Sequence, residues 1–306
     1  MRLPTVLALA GHDPTGGAGL VADAEAIRAM GAWPLTVATT LTRQSSVDVM
    51  ALTPRPFEEI VGTARTLFED FRIDAIKVGL IADSEALRAV VAICQAHMHL
   101  PIVLDPVLKA GGGCELSSRA LTVDFVHGLL PLATLSTPNL VELSRLFDAR
   151  KTAAENDSID DDGDSEGIAD VDSEHDRARQ SQAIEHRARA LLSESGGAML
   201  VTGTDVPGRA GGDEVIHRLY QKSAQREWRW PRLAGSFHGS GCTLSSAIAA
   251  GLARGTGLEK ACEAAQRFTW QSLSRGLCQG SGQKLPDRLL PGGVFAAGTD
   301  QGGEPV

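Results

Sequence analysis

Aromatic side chains are scarce in this chain of 306 residues, at 4% with a single Tyr. Stacking platforms for single-stranded nucleic acid draw on such side chains, and their shortage argues against that class of partner. A basic excess is also missing. The formal net charge is −9, which speaks against nucleic acid or an anionic membrane surface as a ligand. No apolar run approaches the roughly 18–20 residues that a membrane span requires. Cysteine is sparse and scattered, at Cys94, Cys114, Cys242, Cys262 and Cys278, with no C-x-x-C pair. Neither a zinc ribbon nor a disulfide framework is supported, and reduced thiols in a cytoplasm are expected. The apolar start of the chain mimics a secretion signal, but it runs straight into a Gly/Asp/Pro loop, so a buried strand is expected there.

The acidity is not spread evenly. Between positions 155 and 176 stand eleven carboxylates and no Lys or Arg. They outnumber the net charge of the whole chain, so the remainder carries a small positive balance, and overall acidity says little about the substrate. Residues 151–176 are rich in Asp, Glu, Ser and Gly and poor in apolar side chains. Such a stretch cannot bury enough surface to order itself, so a disordered acidic insertion is expected. Residues 290–306 read as a loose tail. The domain expectation is a single unit over 1–289, interrupted by the insertion.

Elsewhere, strand-like runs alternate with helical periodicity. Strands are expected at 5–10, 35–40, 75–81, 102–104, 133–136 and 199–201, and an antiparallel pair at 215–220 and 227–230. Helices are expected at 20–30, 57–68, 84–96, 117–129, 140–147, 177–192, 243–252 and 258–273. This order implies an α/β fold with a mostly parallel sheet and helices on both faces. Ligands should then bind at the loops after the strand C-termini, at Gly11, Thr42, Asp105 and Thr137.

Two of these loops carry chemistry. Gly11-His12-Asp13-Pro14-Thr15-Gly16-Gly17-Ala18-Gly19 joins a strand to a helix, and its glycines let backbone approach a ligand closely. It is not a Walker A loop, because no Gly-Lys-Ser/Thr follows, and the acidic residue of a dinucleotide fingerprint is missing. The second, His238-Gly239-Ser240-Gly241-Cys242, opens an Ala/Ser-rich helix. Its amides form an anion site at a helix N-terminus. The same positive potential is expected to lower the pKa of the Cys242 thiol. A phosphate cradle without a Walker lysine suggests phosphoryl transfer by another route.

Taken in order, the first glycine loop, Asp23, Gln44, Lys77-Val78-Gly79, Asp105-Pro106-Val107, Thr137-Pro138-Asn139-Leu140-x-Glu142 and His238-Gly239-Ser240-Gly241-Cys242 resemble the bacterial hydroxymethylpyrimidine/phosphomethylpyrimidine kinases. These are the thiamine-pathway members of the ribokinase-like superfamily. The resemblance spans the chain except the acidic stretch and the tail. It implies a ribokinase-like three-layer α/β/α fold, with ATP and Mg²⁺ as cofactors and a small aminopyrimidine as substrate. It implies that Gly11, Asp23 and Gln44 hold the pyrimidine, with Ala18, Leu80 and Val107 lining its pocket. A Gln amide offers a donor and an acceptor side by side, and a carboxylate accepts from an exocyclic amine. Asn139 and Glu142 match the N-x-x-E signature that sets Mg²⁺ and its waters against the triphosphate, and Asp105 is a second candidate toward the metal. Read alone, Asn139 and Glu142 are a helix cap and a first-turn carboxylate, and both readings can hold together. Cys242 matches the proposed catalytic base, Gly239, Ser240 and Gly241 the amides that meet the transferred phosphoryl group, and Thr202, Gly203 and His238 the nucleotide site.

Three departures stand out. His12 replaces the usual Ser, Leu80 stands where Met is common, and Val201-Thr202-Gly203-Thr204-Asp205 replaces a Lys-Gly-Gly-His segment. That loss removes one phosphate contact, for which Lys77 or Lys109 are the candidate substitutes. The alternatives carried forward are a pyridoxal kinase-like vitamin kinase, a non-catalytic pyrimidine-binding regulator, and a cysteine hydrolase built on Cys242 and His238. A homodimer is left open.

Overall fold

The computed structural model describes residues 2–108, 116–154, 174–203 and 213–289. In it, the alternating apolar runs become β1 (Thr5–His12), α1 (Gly19–Ala29), β2 (Trp33–Gln44), β3 (Val49–Pro54), α2 (Phe57–Asp70), β4 (Ala75–Val78), α3 (Ser84–Ala96), β5 (Ile102–Leu104) and α4 (Arg119–Gly128). The chain continues through β6 (Leu135–Ser136), α5 (Leu140–Ala154), α6 (Glu174–Ser195), β7 (Ala198–Val201), β8 (Glu214–Tyr220), β9 (Gln225–Pro231), α7 (Ser240–Ala253) and α8 (Leu258–Ser274). One sheet runs in the order β3-β2-β1-β4-β5-β6-β7-β8-β9. It is parallel from β2 to β7, and antiparallel strands extend it at both edges.

The period-2 alternation of β1 divides the core. Leu7 and Leu9 point to one face, where α2 to α6 pack, and Val6, Ala8 and Ala10 to the other, where α1, α7 and α8 pack. Small side chains on that second face suit α7, whose own buried residues are mostly Ala, Ser and Thr. The three-layer expectation holds, and the expected antiparallel pair is β8 with β9.

The differences have local causes. The strand expected at 75–81 stops at Val78, where Gly79 follows, and β2 runs on to Gln44 to form a hairpin with β3 that periodicity did not reveal. β3 (Val-Met-Ala-Leu-Thr-Pro) is apolar without alternating and is at best half-buried, so it lacks the period-2 pattern that marks a strand. α5 continues past Phe147 through Ala154, helped by Lys151 lying 4.7 Å over the Phe147 ring. Helix therefore enters both ends of the expected insertion, at Lys151 and at Glu174, and residues 155–173 lie outside the described residues. So do the expected tail at 290–306, Cys114 and Lys109. Among the described residues no helix is long and apolar enough to cross a membrane.

Candidate active site

The C-terminal ends of β1, β2, β4, β5, β6 and β7 open onto one cleft of about 450 Å³. Gly11, Ala18, Gln44, Leu80, Asp105, Val107, Asn139, Glu142, Thr202 and the run from His238 to Cys242 all line it. Residues scattered over 230 positions are thus brought together because every parallel strand ends on the same edge of the sheet.

The two glycine loops meet backbone to backbone. Gly239 starts α7 at φ +77°, and a Cβ there would collide with the Gly17 carbonyl. Glycine is required twice over, by the left-handed backbone and by the contact. Gly239→Ala is expected to lower stability by about 2 kcal/mol and to abolish ligand binding at this loop, measured by urea unfolding and nucleotide titration. Among the described residues no side chain caps α7 and no acidic residue occupies its first turn. Its N–H groups are left for an anion.

Asp13, to which no sequence motif assigns a role of its own, organises the first loop. Its carboxylate accepts from Thr15 N at 2.8 Å, Thr15 Oγ1 at 2.8 Å, Ala18 N at 2.8 Å and His238 Nε2 at 2.9 Å. Burial opposes its charge, but the hydrogen bonds from His238, Thr15 and Ala18 outweigh burial and hold the carboxyl at about 2. His238 also lies 3.3 Å from Gln44 Nε2. Its partners are therefore Asp13 and Gln44, and among the described residues no hydrogen bond pairs it with Cys242 as a hydrolase would need.

Cys242 faces the cleft, but its chemistry differs from the expectation. Burial pushes the thiol up to about 12, and the nearby Asp105 and Asp23 carboxylates push the same way. The Lys77 ammonium and the Gly19 N–H pull it down and are outweighed. The helix start supplies only a local positive potential, whereas the desolvated floor of the site decides. Cys242 is a thiol at neutral pH, with the Asp105 carboxyl beside it. Asp105 accepts from Ser245 Oγ at 3.2 Å, and burial raises its pKa.

Asp23 departs further from its expected role. It does not line the cleft. Fully buried on the inner face of α1, its Oδ1 takes Lys77 Nζ at 2.7 Å and Ser246 Oγ at 2.8 Å. Its charge already has an ammonium partner, so it is not available to an exocyclic amine. Lys77 is equally buried, with Nζ 2.7 Å from where a Gly79 Cβ would lie, and it cannot replace the missing phosphate lysine. Burial works against its charge, yet Asp23, Cys242 and Asp105 together raise its pKa. Gly203 does not line the cleft either; its backbone packs against the Ile216 carbonyl. Thr204 and Asp205 lie outside the described residues.

Asn139 and Glu142 form a reciprocal capping box. Asn139 N donates to Glu142 Oε2 at 2.9 Å, and Glu142 N to Asn139 Oδ1 at 2.8 Å. The cap fixes a nearly buried carboxylate at the cleft wall, so it positions the group rather than competing with a role toward a ligand. Arg288 was not legible at all. Fully buried, it donates to Thr243 Oγ1 at 2.8 Å, to Glu25 Oε2 and the Gly16 carbonyl, each at 3.1 Å, and to the Gly17 carbonyl. It ties the last described segment to both glycine loops.

Residues 13–165 and 171–287 match the family described as phosphomethylpyrimidine kinase. The chain belongs to that family. A Streptomyces coelicolor protein named hydroxymethylpyrimidine/phosphomethylpyrimidine kinase is 31% identical over 281 residues, covering 91% of this chain and 92% of the relative. An Escherichia coli protein of the same name is 30% identical over 251 residues, covering 82% and 83%. Among solved structures, an ADP complex of Bacillus subtilis pyridoxal kinase superposes with a TM-score of 0.75 at 21% identity, covering 94% of this chain and 98% of that one. Phosphomethylpyrimidine kinase from Clostridium difficile gives 0.64 at 23% identity, covering 88% and 98%. The phosphomethylpyrimidine kinase family thus supplies the sequence relatives, and the fold is ribokinase-like.

Proposed function

We propose that this chain is an ATP-dependent kinase that phosphorylates 4-amino-5-hydroxymethyl-2-methylpyrimidine, and its monophosphate to the diphosphate, for thiamine diphosphate synthesis in a cytoplasm. One observation supports it above the others: the Cys242 thiol, the uncapped start of α7 and Gln44 line the same cleft, in a chain of this family. The pyrimidine lies between the first glycine loop, Gln44, Leu80 and Val107, with its hydroxymethyl oxygen toward Cys242. The amides that begin α7 bind the γ-phosphoryl oxygens and hold the charge they gain. As the hydroxyl oxygen attacks phosphorus, Cys242 Sγ takes its proton and passes the thiol proton to Asp105. That carboxyl stands beside the thiol, and burial raises its proton affinity.

A magnesium ion fits the donors present. Glu142 is a hard oxygen ligand on the cleft wall, and Mg²⁺ binds through one or two carboxylates while keeping its waters. Among the described residues no cluster of three or more His, Cys, Asp or Glu could hold a metal unaided, which suits an ion carried in on the triphosphate. When bound, the ion supplies charge neutralisation between the phosphates. Glu142 and Asn139 would hold its water shell; Asp105 is turned toward Ser245 and Cys242.

Mass spectrometry of the products from the pyrimidine and ATP tests this reading. One and then two added phosphates are the expected result. The better superposition on a pyridoxal kinase favours one second reading, so pyridoxal belongs in the same assay. A higher kcat/KM for pyridoxal than for the pyrimidine would replace the first reading with the second.

A further inference from the structure

We infer that Asp13 and His238 lock the Gln44 amide with its NH₂ toward the cleft, so that the substrate is read at that edge by a donor and must offer an acceptor there. Asp13 carries the first step. An ionised carboxylate only accepts, and Asp13 already gathers donors from Thr15 and Ala18. Its pKa of about 2 keeps it ionised throughout the neutral range. His238 Nε2 lies 2.9 Å from Asp13 Oδ2. Two acceptors repel at that separation, so Nε2 carries a proton and donates it.

The same Nε2 lies 3.3 Å from Gln44 Nε2. Two N–H donors facing each other are as unfavourable as two acceptors. Turning the terminal amide by 180° removes the conflict and moves no other atom, because that torsion is broad and two-fold. Gln44 Oε1 then shares the imidazole N–H, and the NH₂ points into the cleft. The frame around this pair is stiff. The backbone N–H of His238 donates to the Lys284 carbonyl at 2.9 Å, and a side chain at Gly17 would collide with the imidazole. Gln44 itself sits where the β2–β3 register shifts, a bulge that re-aims its side chain. Asp13 and His238 are thus positioning residues that act through Gln44.

For the substrate class this rests on the proposed pyrimidine kinase reading. An aminopyrimidine presents a ring nitrogen beside its exocyclic amine. A donor-only Gln44 reads the ring nitrogen and leaves the amine to another acceptor, which revises the two-sided contact expected from sequence.

Two measurements test the inference. Two-bond ¹H–¹⁵N correlation spectra of the wild-type protein should show His238 protonated at Nε2; an unprotonated Nε2 overturns the inference whatever the enzyme phosphorylates. In kinetics, Gln44→Glu keeps an acceptor for His238 but removes the donor to the substrate, and should raise the KM for the pyrimidine about tenfold or more, with the KM for ATP changed less than about twofold. His238→Leu should raise the pyrimidine KM severalfold, and His238→Gln, which restores an N–H near the Nε2 position, should recover it. A Gln44→Glu enzyme that binds the pyrimidine as well as wild type overturns the inference. Wild-type protein that phosphorylates no pyrimidine overturns the functional reading alone, and the His238 spectrum still judges the lock.

Discussion

Replacing Cys242 by Ala should cut kcat for pyrimidine phosphorylation by about 10²- to 10⁴-fold, the usual range for a lost general base. The KM values for ATP and pyrimidine should stay within about threefold, because the phosphate amides at the start of α7 belong to the backbone and Gln44 is untouched. Coupled ADP release measures both. The raised pKa adds a second expectation with a definite sign. A thiol held at about 12 is protonated below that value, so alkylation of Cys242 by iodoacetamide should be slow at pH 7 and should accelerate steadily as the pH is raised. Fast labelling at neutral pH would mean that the floor of the site is better solvated than its packing indicates. Cys242→Ser keeps a proton carrier in place and should fall between wild type and Ala. Such a ranking would support transfer through this side chain to Asp105 over a purely steric role.

How far these features could be read from sequence depends on how local their causes are. α3 spans the expected 84–96, and its start is fixed locally, by Asp83 accepting from Ala86 N at 2.8 Å. The helix expected at 20–30 is followed by Gly31 at φ +82°, the left-handed turn after a helix that glycine favours. The convergence of both glycine loops followed from strand order, because parallel strands put successive loops on one edge. What failed was non-local. Asp23 and Lys77 are 54 positions apart, and each looked like a free charge until the fold buried one against the other. The Cys242 thiol obeyed burial rather than the helix start, and burial is a property of α7 packed on the sheet. Arg288 reaches Gly17 across 271 positions from a segment with no periodicity to mark it. Local rules thus found the elements and the loops, while the charges beneath the loops needed coordinates.

Those buried charges carry the largest expected stability effect. Lys77→Met leaves Asp23 with a single hydroxyl partner in a site of no solvent access, and removing one member of a buried pair typically costs about 3–5 kcal/mol. Asp23→Leu should cost a similar amount by stranding the ammonium. Asp23 Oδ2 has no hydrogen-bond partner among the described residues, so Oδ1 bears both contacts and no second donor softens the loss. The double variant Asp23→Leu/Lys77→Met should regain most of that stability, because apolar side chains of similar size replace a desolvated pair at little net cost. Catalysis should not recover with it. The Lys77 ammonium lowers the pKa of the Cys242 thiol more than the Asp23 carboxylate raises it, so removing both still leaves the sulfur a poorer carrier of negative charge. A double variant that unfolds in urea at close to the wild-type midpoint, yet keeps a kcat reduced about tenfold or more, would separate the two roles of this pair. Full recovery of kcat would instead confine Lys77 and Asp23 to the scaffold, and would leave the proton path to Cys242 and Asp105 alone.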